Sequence, residues 1–233
     1  MNGDRKFHGE IISDSIPDIN SSNFFYGIRY NWENFAQEIN SYYRYQNELM
    51  FNLDIYENQF SKENAYSKGL EILFKKKYGL FLRWLSYHFS ETKLLFDDVN
   101  NDIEFFEDND ITNEFKYVLI TKIKNFNLTA NWVCSSGRVF TDVENLHLDS
   151  GNKIIVTEKK NSKRLSLNHH LNISITPRKV LKEFIVDSGF SIYNVYKKSN
   201  VSHKRYNPYS SAIKIEKISM FGITSTEFIK VGF

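Results

Sequence analysis

The chain has 233 residues, 41% hydrophobic and 25% charged, which gives length and apolar content for a substantial core and excludes wholesale disorder. Lys and Arg number 30 against 28 Asp and Glu, a formal charge of +2 that does not make a polyanion the default partner. A single cysteine, Cys134, excludes an intramolecular disulfide framework, while 20 Phe, 14 Tyr and 3 Trp supply an unusual quantity of ring surface.

The charged opening MNGDRKFHGE is no signal peptide, and no apolar run approaches the roughly 18 residues that span a bilayer. A cytoplasmic protein without membrane insertion is expected, touching membranes only through partners. From Phe25 the apolar residues fall at Phe25, Ile28, Trp32, Phe35, Ile39 and Tyr42, in alternating steps of three and four. That spacing predicts a helix over 22–46 with a heptad seam. The seam is filled either by the chain's own core or by a helix of another subunit. A second helix is predicted over 62–92, amphipathic at first through Leu70, Leu73, Phe74 and Tyr78, then apolar almost all round in GLFLRWLSYHF. Within it Arg83 stands beside Trp84: either it is a buried anchor with an acidic or backbone partner, or another chain covers this helix.

The segment 97–110 carries seven acids and no base and predicts an acidic linker, with no turn glycine or ligand spacing for a metal. From Phe115 onward, short β-branched and aromatic runs such as FKYVLITKI, KIIVTEKK and LNISIT predict strands. Asp149–Asn152 predicts a turn, and Thr176 with Pro177 predicts a short helix closed by Gly189. The expected architecture is α+β: a helical region at 1–96 with two long helices, the linker at 97–110, and a β-rich domain at 111–233.

Catalytic signatures are sparse. Asp142 followed by Glu158 and Lys160 on a predicted strand is the acid and Glu-x-Lys arrangement with which metal-dependent nucleases hold a metal ion and a water. The same letters occur on ordinary exposed strands. His169 and His170 are adjacent, so a strand sends them to opposite faces and they cannot share a metal. No phosphate-cradling or dinucleotide loop is present, so no cofactor and no metal are expected, and a non-enzyme is preferred over the nuclease alternative. The late basic residues Lys159, Lys160, Lys163, Arg164, Lys197, Lys198, Lys204 and Arg205 fall in predicted turns, where lysine serves solubility. Tyr193, Tyr196 and Tyr206 keep a nucleic-acid-binding accessory role as a further alternative.

One set of residues is similar to a known family. NFFYGIR, with Phe24, Phe25, Ile28 and Arg29, resembles the opening of TssG-type proteins, baseplate wedge subunits of type VI secretion systems. ELMFNLDI at 48–55, LFLRW at 80–84, GRVFTD at 137–142 and FGITS at 221–225 resemble further family motifs in the same order. The resemblance implies a non-catalytic structural subunit of a contractile injection baseplate, packed through a helical bundle against TssF-like partners and meeting a TssK-like adaptor. It implies a partner-binding set of Phe24, Phe25, Ile28, Arg29, Trp32, Phe35, Ile39, Tyr42, Arg83 and Trp84, with Arg83 as an anchor. Arg29 is an anchor or a side chain whose head reaches water.

Overall fold

The computed structural model describes residues 20–54, 59–96, 99–149, 152–207 and 214–232. In chain order its strands are β1 (Asn20–Trp32), β2 (Phe35–Asp54), β3 (Gln59–Tyr78), β4 (Phe81–Phe96), β5 (Phe105–Phe106), β6 (Asn113–Ile123), β7 (Phe126–Ser135) and β8 (Val139–Phe140). They continue with β9 (Val143–Asp149), β10 (Asn152–Thr157), β11 (Lys163–Arg164), β12 (Asn168–Val180), β13 (Ile185–Tyr193), β14 (Val201–Asn207), β15 (Lys214–Ser219) and β16 (Thr224–Gly232). No helix occurs among the described residues, so none is long and apolar enough to cross a membrane.

The expected helical half is therefore corrected. Residues 22–46 and 62–92 are strands and hairpin turns, and the short helix expected after Thr176 is the end of β12, a turn and β13. The fold is all-β. The physical reason is a period of two that the heptad spacing masked. Phe24, Tyr26, Ile28, Tyr30 and Trp32 alternate with mostly polar positions, and rings of this kind pack well on a pleated surface. The buried helix expected at GLFLRWLSYHF is strand β4, whose Phe81, Leu85, Tyr87 and Phe89 share one side.

Ten strands form one antiparallel sheet in the order β1-β2-β3-β4-β6-β7-β12-β13-β16, with β5 paired to β4. The acidic segment separates β4 from β6 in sequence, yet the two pair directly from Phe81 opposite Thr121 to Phe89 opposite Asn113. Register divides the side chains between two faces. Tyr30, Gln37, Phe74, Leu85, Tyr117, Trp132 and Leu171 stand opposite one another across seven strands. Beside that row runs another of Ile28, Ile39, Ile72, Tyr87, Phe115, Cys134 and His169. These rows make an apolar face. The alternate positions, such as Gly27, Asn40, Glu71, His88, Glu114 and Ser135, make a polar one.

A glycine in a strand interior weakens it unless a neighbour covers the gap. Tyr42 lies directly over Gly69 opposite it, where any Cβ would collide with the ring, and its hydroxyl reaches Ser90 Oγ at 2.9 Å. Phe228 covers Gly189 in the same way between β13 and β16. Both are cross-strand ring-over-glycine pairs that pin register.

Among the described residues the buried apolar side chains gather toward one end of the sheet. Ala65, Phe96, Phe105, Val139 and Leu165 are the buried apolar side chains among the described residues. Phe96 and Phe105 meet edge to face, with centroids 5.1 Å apart. There the 99–112 segment is fastened to the residues between β10 and β12. Arg164 pairs with Asp110 at 2.8 Å and donates to the Gly137 carbonyl at 3.0 Å, while the Asp110 side chain is only 1% exposed. Asn161 donates to the Phe106 carbonyl and to Asp108, each at 2.7 Å. Asn200 both accepts from His169 N and donates to His169 O at 3.0 Å, imitating a strand partner with one side chain.

Candidate interaction surface

Strand β1 is exposed along all 13 residues, on both faces. It stands at the end of the sheet order and among the described residues pairs with β2 alone, so its outer backbone groups have no ladder. Phe25 is 72% exposed and Trp32 66%, values for large rings that soluble surfaces rarely show in a row. The apolar face continues this exposure inward. Tyr30 is exposed, and Gln37, Phe74, Leu85, Tyr117, Trp132 and Leu171 are half-buried; none of that row is buried.

The expected partner-binding residues divide between the faces. Phe24, Ile28, Trp32, Phe35, Ile39 and Arg83 lie on the apolar side, while Phe25, Arg29, Tyr42 and Trp84 lie on the polar one, by strand alternation and register. Arg29 meets Glu38 directly across the β1–β2 ladder at 2.9 Å. Asn40 and Arg29 both bond the Glu38 carboxylate, and these bonds hold its pKa below the ordinary carboxylate value. Arg83 is exposed, with its guanidinium carbon 5.9 Å from the Phe81 ring centroid. Trp84 is flanked on the polar side by Lys75, whose ammonium lies 5.0 Å from the ring centroid.

The nuclease alternative places Asp142, Glu158 and Lys160 together; the structure brings the first two near each other and sends the third elsewhere. Glu158 N donates to Asp142 O at 2.9 Å, and Lys163 bonds both carboxylates. Lys160 reaches the other way, its ammonium 5.1 Å from the Phe105 centroid and 5.8 Å from that of Phe96. Lys204 sits 3.7 Å from Asp142 Oδ2, and Tyr206 donates to Asp142 Oδ1 at 2.9 Å. Burial raises the Asp142 pKa, but the bonds from Tyr206 and the Val143 N–H, with Lys204 and Lys163, outweigh it and hold the carboxyl low. Burial and the bond to Asp142 push the Tyr206 hydroxyl up to about 12. Two carboxylates neutralised by two lysines and a phenol leave little for a cation. Among the described residues no group of three or more His, Cys, Asp and Glu could hold a metal.

Sequence reasoning missed Lys163, Lys204 and Tyr206 as the companions of Asp142. Nothing local signals them, because Tyr206 and Asp142 are 64 residues apart. It also missed a ring cluster on the apolar face, where Tyr196 Oη meets His169 Nδ1 at 2.8 Å and accepts from Trp132 Nε1 at 3.2 Å. His169 and His170 do stand on opposite faces, as expected; His170 packs against Tyr193 with ring centroids 4.8 Å apart.

No protein-family model matches the chain, and no curated protein is similar to it in sequence.

Proposed function

We propose that this protein is a non-catalytic structural subunit whose apolar sheet face is covered by a partner protein in a larger assembly. The observation that supports it is the pair of transverse rows, from Tyr30 to Leu171 and from Ile28 to His169, in which aromatic and aliphatic side chains stay half-buried or exposed across seven strands. A soluble chain gains little by keeping such a surface in water, whereas covering it returns roughly 25 cal/mol for each Å² removed. The ordered motif similarity to TssG-type wedge subunits makes a contractile injection baseplate in the cytoplasm the assembly we assign it to. The contact it offers there is a sheet face, since the residues of the family's helical motifs lie on strands.

The test is solution behaviour. Alone, the purified chain is expected to self-associate at micromolar concentration and to bind a hydrophobic dye; Ile28→Lys with Tyr30→Lys, two exposed positions on the apolar face, should reduce both. Co-expression with TssF-like and TssK-like proteins should yield one co-eluting complex. A monodisperse, dye-silent monomer overturns the reading. So does Mg²⁺-dependent cleavage of nucleic acid that Glu158→Ala abolishes, which would restore the nuclease alternative.

A further inference from the structure

The two ends of the sheet differ in how their charges are paired and in what the chain does there. Four tight turns gather at one end: 33–34 between β1 and β2, 79–80 between β3 and β4, 124–125 between β6 and β7, and 181–184 between β12 and β13. They form a continuous rim, because each hairpin is hydrogen-bonded to the next beside its turn. Lys77 N donates to Asn34 O and Arg178 N to Asn125 O, both at 2.8 Å, and Phe81 stands opposite Thr121. The last turn is closed by two bonds between Leu181 and Phe184, at 2.7 and 3.3 Å, so its tip is held in shape.

Each turn carries an apolar side chain at or next to its tip: Trp32, Leu80, Ile123, Val180, Leu181 and Phe184. Val180 is 72% exposed and Leu80 66%, so these two side chains stand clear of the sheet. Around them stand Lys76, Lys77, Lys122, Lys124, Lys179 and Lys182, all exposed and none in an ion pair with another described residue. Within the turns themselves only Glu33 and Glu183 oppose them. At the opposite end acids and bases are paired, Lys93 with Glu104 and Arg164 with Asp110, so the unpaired lysines set the rim apart.

From this arrangement we infer that the hairpin rim docks on the surface of an anionic lipid bilayer, with the turn tips entering the headgroup boundary and the lysines lying among phosphate groups. Aliphatic tips gain from the acyl boundary, and each surface lysine gains from anionic headgroups. A nucleic acid stacks its bases on rings within a groove; the rim has rings in Trp32 and Phe184, but the aliphatic tips Leu80, Ile123, Val180 and Leu181 favour the acyl boundary. The contact is peripheral; Trp32 belongs to both rim and apolar side, and the other rim residues lie outside the two rows that make the apolar face.

The test is co-sedimentation of the full chain with vesicles of phosphatidylcholine alone and of phosphatidylcholine with phosphatidylglycerol. Binding is expected only to the anionic vesicles, falling as salt rises, with a blue shift of tryptophan emission that Trp32→Phe diminishes. Lys122→Gln with Lys124→Gln should weaken binding roughly fivefold for each lysine neutralised, and Leu80→Ser should weaken it further. Lys116→Gln, on the polar face away from the rim, serves as the control and should bind as the unaltered chain. Melting temperatures of all variants should match, since every substituted side chain is exposed. The inference fails if neutral and anionic vesicles bind equally, if neither binds, if the rim variants bind normally, or if a single-stranded oligonucleotide is bound in place of vesicles.

Discussion

The latched end of the sheet and the open flank at β1 keep their shape by different means. At the latched end, side chains from segments far apart in sequence meet buried backbone groups, as Arg164, Asn161 and Asn200 do, and the buried rings Phe96 and Phe105 lie among them. At β1 the ladder to β2 and the neighbouring side chains on each face are all that holds the strand. The latched end is specified by polar partners that leave little tolerance, and the flank by alternation alone, which tolerates many residues and leaves its rings free to meet something else.

The sharpest way to break the contrast is Arg164→Ala. It leaves the buried Asp110 carboxylate without its cation and should cost about 3–5 kcal/mol in denaturant unfolding; a loss below 1 kcal/mol would show that this end is not held as described. Next comes Tyr206→Phe, expected to cost roughly 1.5–3 kcal/mol near neutral pH through the lost bond to Asp142. The Tyr206 hydroxyl is raised from 10 to about 12 in the fold, so its contribution is whole below pH 10 and is lost as pH rises toward 12. Asp142 is lowered, so its contribution is present above the ordinary value of 3.8 and is lost as pH falls through the lower folded value. Tyr206→Phe should therefore flatten the alkaline limb of a stability–pH profile relative to the unaltered chain and blunt the acid limb. The smallest effect belongs to the flank: Phe24→Ser or Trp32→Ser should change stability by no more than about 0.5 kcal/mol while reducing self-association in sedimentation velocity.

Much of the C-terminal part was legible in sequence. The runs at 115–123 and 171–176 are strands, as their β-branched and aromatic content implied. The N-terminal part misled for a specific reason. Phe25 interrupts the alternation of Phe24, Tyr26 and Ile28, and its presence with Trp32, Phe35 and Ile39 completes steps of three and four by coincidence. A helix and a strand compete for the same apolar letters, and what decides here is the pairing with β2, β3 and β4, which no local window contains. The acid pair Asp142 and Glu158 was visible, but its neutralising partners came from 163, 204 and 206, joined by turns whose geometry the sequence does not spell out. The rim was hidden for the same reason. Lys77, Lys124 and Lys182 are scattered along the chain and become neighbours only once the hairpins are aligned.

One feature of the sheet reaches beyond the single molecule. Among the described residues it ends on β1 at one side and β16 at the other, two strands of unlike sequence, each with one margin of backbone donors and acceptors that no described strand pairs. Joining β16 of one copy to β1 of the next repeats the same step indefinitely, for a head-to-tail contact that does not curl into a ring builds a fibre. Arg29 on one margin and Glu227 and Lys230 on the other are the charged residues set against such stacking, so a cover on β1 would also keep the protein a discrete unit and stop it growing into a ribbon.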